Sequence, residues 1–310
     1  MIDVKRMKIL REVAGRGSFS AAADELYLSQ SAVSQQVATL EREVGMRLLD
    51  RTSSGPKLTD AGRVLVTHAD AVICRLEETE RDLTAIAGLE GGEVRIASFP
   101  SASATLVTGA VSRFSTLHPK VKMSLLEAEP EDSLPLLRAG ELDLALAFDY
   151  AALPKEPDRD LEYSLLLTES MRVALPQGHR LAERAAVRIS DLAAEPWLTG
   201  VRPSSCGEIV LRACREAGFE PRIAFESDDY HVLQGFVAAG LGVTLLPALA
   251  LASLRPDVVA VPVASAAPER RVWAATRTAG SRSAATEALL ETLVDTAGRF
   301  GGSVGLSAAA

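Results

Sequence analysis

The chain holds 310 residues, with 33 Lys plus Arg against 41 Asp plus Glu and a net charge of −8. That length exceeds one ordinary core and suits two or three domains, and a hydrophobic content of 47% excludes global disorder. Residues 1–65 carry a net of +2 and the remainder −10, so the overall acidity does not exclude a nucleic-acid partner for the amino-terminal part.

The first 60 residues read as short helices. Residues 3–15 place Val4, Met7, Ile9, Leu10 and Val13 at mostly helical spacing, and "GRGS" ends them. Ser18 or Ser20 caps a second helix over 21–26, "YLS" turns the chain, and Ser29 caps a third. There Val33, Val37, Leu40 and Val44 form one apolar stripe, while Ser31, Ser34, Gln35 and Ala38 lie opposite. Gly45 stops this helix, and "MRLLDRTSSGPKLT" reads as a two-stranded wing with its tip at Ser53 to Pro56. Thr59 then caps a long helix in which Leu65, Ala69, Val72, Leu76, Thr79, Leu83 and Ile86 alternate steps of four and three, the seam of a coiled coil. A lone helix packed on its own domain is the alternative.

After the linker "GLEGGE" the pattern becomes α/β. Strands are expected at 94–98, 121–127 and 142–148, with helices in "TLVTGAVSRFSTLHP" and "EDSLPLLRAG" between them. The Pro- and charge-rich "LPKEPDRD" marks a boundary, beyond which "MRVALP", "EPWLTG", "GEIVLRACREAGF", "RIAFES", "DYHVLQGFVAAG" and "VTLLP" repeat the strand and helix alternation. "ASAAPERR" marks the return, followed by "VWAAT" and a helix over 284–300. The uncharged run from Val232 to Leu254 is long enough to suggest a membrane span, but Gly240, Gly242 and Pro247 interrupt it, and no membrane partner is expected.

A helix whose polar face holds Ser and Gln rather than Glu and Lys suits a surface that offers both donors and acceptors, as base edges in a major groove do. Gln35, Ser31 and Ser34 are the expected reading residues, with Gln30 at the rim. Arg51 and Lys57 on the wing, and Thr59 through its hydroxyl, would meet phosphates. A small helical bundle with an ordinary polar face is the competing reading.

The stretch "GSFSAAADELYLSQSAVSQQVATLEREVGMRLLDRTSSGPKLTDAG" resembles the winged helix–turn–helix of LysR-type transcriptional regulators nearly position for position. The similarity continues through "GEVRIAS", "LRAGELDLAL", "REAGFEPRIAFES" and "VAAGLGVTLLP", over about residues 2–300. Leu49 departs from the Phe usual there, which bears on wing packing.

The resemblance implies an α+β chain. It comprises a winged helix–turn–helix over 1–59, a linker and dimerisation helix over 60–88, and two α/β lobes of periplasmic-binding-protein-like (type 2) architecture. Lobe 1 spans 89–161 and 268–300, lobe 2 spans 162–267, and 301–310 is a disordered tail. Double-stranded DNA carrying an interrupted palindrome, a small inducer and a second copy of the chain (homodimer or homotetramer) are the implied partners, with RNA polymerase a further one. The location implied is cytoplasmic, consistent with an amino terminus that lacks a signal-peptide pattern, and no enzyme activity is expected.

In such lobes ligands meet loops at strand ends. Lobe 1 offers Ser98, Pro100, Ser101, Ser103 and Phe148; lobe 2 offers Val201, Arg202, Ser204, Ser205 and Asp228. Hydroxyls, helix-start amides and Arg202 would suit an anionic inducer.

Cys74, Cys206 and Cys214 form no CxxC pair, the four histidines are scattered, and no metal or cofactor is expected. In peroxide-sensing relatives two cysteines of this region form a regulatory disulfide; Cys214 matches the second, but the first falls at Ser205, one place before Cys206. On one helix Cys206 and Cys214 would lie about 12 Å apart, so buried thiols are the reading and a redox pair the alternative. No nucleophile elbow, dinucleotide fingerprint, Walker lysine or HExxH supports an enzyme carrying a DNA-binding head.

Overall fold

The structure, a computed structural model, describes residues 2–52, 55–86, 92–153, 158–264, 267–278, 282–304 and 307–308. It divides into two compact units, Met1–Ile86 with Ala139–Glu141, and Ala87–Arg138 with Leu142–Ala310.

In the first unit, α1 (Val4–Arg16) is capped by the Asp3 carboxylate and stopped by left-handed Gly17. Helix α2 (Phe19–Glu25) begins two residues earlier than expected because Ser18, not Ser20, accepts the Ala21 amide. Ser29 caps α3 (Gln30–Val44) through the Ala32 amide, and Gly45 closes it at φ 73°. The antiparallel hairpin β1 (Leu49–Thr52) and β2 (Gly55–Leu58) pairs Leu49 with Leu58. Glu41 of α3 fixes where this wing starts, its carboxylate accepting the Leu48 and Leu49 amides at 2.8 and 3.2 Å. Helix α4 (Asp60–Ile86) leaves the wing at Gly62, where a Cβ would stand 2.1 Å from the Leu48 carbonyl oxygen; only glycine permits that approach. Leu10 and Val13 of α1, Val33, Val37 and Leu40 of α3, and Leu48 and Leu49 of the wing make one core, in which Leu49 is buried.

In the second unit a six-stranded sheet has the spatial order β13 (Ser307–Ala308), β6 (Leu161–Ser170), β12 (Glu269–Arg277), β5 (Leu144–Tyr150), β3 (Glu93–Ser98) and β4 (Lys122–Glu127). Strand β3 runs parallel to β4 and β5. Between β5 and β6 lies the antiparallel β12. A short α5 (Pro100–Ala102) continues through a π turn into α6 (Thr108–Leu117), which covers one face with α10 (Ala284–Val304). Helix α7 (Pro130–Arg138) covers part of the other, over Ala97, Ala145 and Ala275.

The second lobe holds β7 (Arg172–Pro176) between β10 (Thr244–Leu246) and β11 (Val258–Pro262), all antiparallel. Beside them lies the parallel pair β8 (Pro196–Thr199) and β9 (Arg222–Glu226). Helices α8 (Ser205–Glu216) and α9 (Tyr230–Ala238) pack on these strands.

Three expectations change. Strand β6 belongs to the first lobe's sheet, so the crossing to lobe 2 lies at Met171, between β6 and β7, and not at 161/162. Of the charged, Pro-rich stretch read as that boundary, residues 154–157 lie outside the described residues, and the strands on either side of it, β5 and β6, both belong to this sheet. A register shift opposite Val272/Trp273 puts both Leu166 and Leu167 in the core and breaks the two-residue alternation that would have marked "LEYSLLLTES" as a strand. The tail expected to be disordered from 301 instead continues α10 to Val304, because each added residue of a formed helix closes another hydrogen bond. Ser307–Ala308 then pair with β6, while 305–306 and 309–310 lie outside the described residues. The Val232–Leu254 run forms α9, β10 and a 3₁₀ turn, and no described helix is long and apolar enough to cross a membrane.

Candidate nucleic-acid interface and ligand cleft

Ser31 and Gln35 are exposed on α3, one turn apart, opposite the buried Val33, Val37 and Leu40. The Ser31 hydroxyl lies 3.0 Å from that of Ser29, so the capping residue orients it. Ser34 is half-buried beside them. Gln30 is exposed at the helix start and accepts from the Ser20 hydroxyl at 3.3 Å, tying α3 to α2. Gln36 instead accepts from Arg6 Nε at 3.0 Å within the bundle. Lys57 is exposed on β2; Arg51 occupies β1 opposite Pro56, and its side chain lies outside the described residues.

Thr59 corrects the sequence reading. Its hydroxyl donates to the Arg47 carbonyl at 2.8 Å and accepts the Gly62 amide at 3.0 Å, so the donor that a phosphate would need is already spent. One exposed residue was missed: Tyr27, 95% accessible at φ 52° in the turn before α3, whose positive φ would have been hard to foresee for a tyrosine.

The expected α4 seam also divides. Leu65 and Ala69, with Ile73, are buried in the unit's own core, because their steps of four follow the face that lies on α1. Val72 and Leu76 are 40% and 45% exposed, as is Val64 at 59%. The Leu83 and Ile86 side chains lie outside the described residues.

The cleft between the lobes of the second unit centres on a residue absent from the expected set. Arg270, at the start of β12, is 1% exposed and donates from Nε to Glu169 Oε1 at 2.6 Å and from a terminal nitrogen to Ser101 Oγ at 3.1 Å. Its guanidinium lies 5.1 Å from the ring centroids of both Phe99 and Phe148. The second Glu169 oxygen accepts the Leu249 amide of lobe 2 at 2.6 Å. Burial is the largest single influence and pulls the Arg270 pKa down, but Glu169 together with Tyr230, Tyr150 and Cys206 outweighs it and holds the guanidinium charged, above its ordinary value.

Beside it, Tyr150 of lobe 1 and Tyr230 of lobe 2 place their hydroxyls 3.5 and 3.8 Å from the Cys206 thiol. Burial raises all three acid groups, with their mutual repulsion adding to the tyrosines, so thiol and phenols are neutral at pH 7. Glu129, immediately before α7, titrates at about 7: burial raises it first, then Glu131 and Asp228, against the opposing pull of Arg270.

Of the expected cleft residues, Ser101 is the one that Arg270 engages. Ser98 is buried and donates to the Phe99 carbonyl, and Ser103 donates to the Ser98 carbonyl, so both hydroxyls serve the local fold. Pro100 is exposed at the first turn of α5. Phe148 belongs to an aromatic row with Phe99 and Tyr150, at centroid distances of 4.9 and 5.8 Å. Across the cleft, Ser204 caps α8, Ser205 is its half-buried first residue, and the exposed Val201 donates its amide to Asp228 at 2.9 Å. Arg202 is a correction: its Nε donates to Glu226 at 2.6 Å, a lobe 2 partner that satisfies the charge meant for an anion. Arg270 was missed because it sits in "ASAAPERR", a presumed boundary where charged residues read as solvated loop, and Glu169 because the strand that carries it was not recognised.

The family model described as the bacterial regulatory helix-turn-helix protein, lysR family, matches residues 4–63, and that of the LysR substrate binding domain matches 87–298. The hydrogen peroxide-inducible genes activator of Dickeya chrysanthemi is 30% identical over 273 residues, covering 87% of this chain and 88% of that protein. The transcriptional dual regulator GltC of Bacillus subtilis is 28% identical, covering 84% and 86%. Among solved structures, a full-length OxyR from Pseudomonas aeruginosa carrying a cysteine substitution matches with TM-score 0.72 at 22% identity, over 96% of this chain and 95% of that one. CbnR complexed with its target DNA matches with TM-score 0.67 at 22% identity, over 95% and 99%. A reading-type helix behind a capped turn, a wing, and a two-lobed ligand domain therefore agree with these matches: the chain belongs to the LysR family of DNA-binding transcriptional regulators.

Proposed function

We propose that this regulator reads duplex DNA through the exposed face of α3, with Gln35 and Ser31 at base edges, Ser34 and Gln30 beside them, and Arg51 and Lys57 on phosphates. The observation that carries the reading is the neutral amide and hydroxyl stripe on a helix whose opposite face is fully committed to the core. Two heads, joined through α4 in a homodimer or homotetramer, would read an interrupted palindrome whose half-site spacing mirrors the protein's symmetry. The location that follows is cytoplasmic, with RNA polymerase as a partner at the promoter.

The cleft, on this reading, holds a small polar inducer against Ser101, the tyrosine hydroxyls and the α8 start. With Arg202 and Arg270 both paired to carboxylates, an anionic group gains little there. The inducer is bound and not turned over. It acts because its affinity differs between two dispositions of the lobes; equal affinity would move nothing. Peroxide-driven pairing of Cys206 with Cys214 is the weaker reading: both lie on α8 about 12 Å apart along its axis, and burial lifts the Cys214 thiol to about 12, far from the reactive thiolate.

Genome-wide footprinting of the purified protein tests the assignment, with Gln35→Ala and Arg51→Ala alongside. Gln35→Ala should relax sequence selection by about 1–3 kcal/mol at one position, while Arg51→Ala should weaken all sites alike and lower the salt slope by about one. Equal loss of specific and random DNA binding in Gln35→Ala contradicts the role assigned to it.

A further inference from the structure

On the face of the six-stranded sheet opposite α6 and α10, a cavity of about 650 Å³ opens between α7 and the strands β5, β6 and β12. Its origin is a change of residue size along one sheet face. Ala97, Ala145 and Ala275 let α7 sit close, but beyond them Trp273 stands opposite Ala147, leaving a hollow with one tall aromatic wall. Tyr163 on β6 and Leu134 on α7 line it further.

Of the five charged residues on the rim, four are paired with one another; the fifth, Glu131, stands in the first turn of α7. Asp149 accepts both Arg271 nitrogens, at 2.8 and 2.6 Å, and the Trp273 indole N–H at 3.3 Å, while the Arg271 guanidinium stands 5.5 Å from the Trp273 ring centroid. Arg138 at the end of α7 pairs with Asp158 at 2.7 Å. The volume lies within the roughly 300–1,000 Å³ usual for small-molecule sites. A charged ligand gains a partner among these four residues only by breaking a formed ion pair, whereas a flat neutral molecule stacks on the indole and leaves both pairs intact.

We propose that this cavity is a second small-molecule site, distinct from the interlobe cleft, for a neutral planar heteroaromatic ligand of two or three fused rings, stacked on Trp273 between Ala147 and Leu134. Its occupant touches the helix whose first turn follows Glu129 at the cleft.

The two tryptophans separate cleanly for a test, since Trp197 is fully buried in lobe 2 and Trp273 is not. The full-length protein is titrated with quinolin-2-one and caffeine as neutral probes, and with naphthalene-2-carboxylate and 2-naphthylmethylammonium as charged ones, by tryptophan fluorescence and saturation-transfer NMR. The expected result is saturable binding of at least one neutral probe with a change in Trp273 emission, and at least tenfold weaker binding of both charged probes. Trp273→Leu and Leu134→Asp should each reduce neutral-probe binding, read by NMR, at least tenfold. Leu134→Asp alters only a half-buried helix position and serves if Trp273→Leu does not fold. Absence of saturable neutral binding, undiminished binding in the folded variants, or tighter binding of a charged probe overturns the proposal.

Discussion

Glu129 shows how one side chain can carry a pH response. Its carboxyl is half-buried, faces Asp228 from lobe 2 and Glu131 and Asp132 from α7, and is opposed by Arg270. The folded state therefore binds this proton more tightly than the unfolded chain, whose carboxyl ionises near 4.5. The linked stability is fully present below about 4.5 and is lost as pH rises through about 7. Allowing for partial exposure, the loss is about 2 kcal/mol. Glu129→Gln should remove that component: between pH 5 and 8 the urea midpoint of the wild type falls relative to the variant, and parallel curves would refute the assignment. Glutamate 129 could not be singled out in "EAEPED", where six residues hold four acids; only the fold decides which of them faces the other lobe.

At the level of elements, α4 has two apolar faces that its heptad-like spacing does not separate. Leu65, Ala69 and Ile73 hold the winged head together, while Val72 and Leu76 face outward. Replacing both Val72 and Leu76 by Glu should shift sedimentation toward monomer and leave the head's melting transition within a degree or two. Leu65→Asp, placing a charge in the core, should cost several kcal/mol and unfold the head. If the Glu pair unfolds the head and leaves assembly intact, the division is wrong. Helices α1 to α3 were legible from caps and stripes because short-range signals decide them: Asp3, Ser18 and Ser29 each accept an amide of the first turn. Strand β6 was not, since its pairing with β12 joins residues about a hundred positions apart and its bulge hides the alternation.

Across the whole second unit, the two chain crossings between lobes converge on one buried ion pair. Glu169 stands just before the β6 to β7 crossing and Arg270 just after the return into β12, in register with each other. Glu169 reaches the Leu249 amide in lobe 2, and Arg270 reaches Ser101 in lobe 1. Removing one partner leaves a buried charge uncompensated, so Glu169→Ala should destabilise this unit by about 3–5 kcal/mol, whereas Glu169→Met with Arg270→Leu should recover much of that loss. Calorimetry of the three proteins checks this; a double variant no more stable than Glu169→Ala would show that the pair does more than neutralise itself.

The winged head, its third, Ser29-capped helix, the change to α/β grammar near residue 90 and the family are all legible from residue order, because they rest on signals within a few residues of one another or on a long ordered similarity. It took the folded chain to pair Arg202 with Glu226, to tie Thr59 into the wing, to centre the cleft on Arg270 and Glu169, and to open a hollow beside Trp273. Pairings of that kind depend on which distant strands become neighbours and on which face of each strand is buried. No local pattern of residues encodes either.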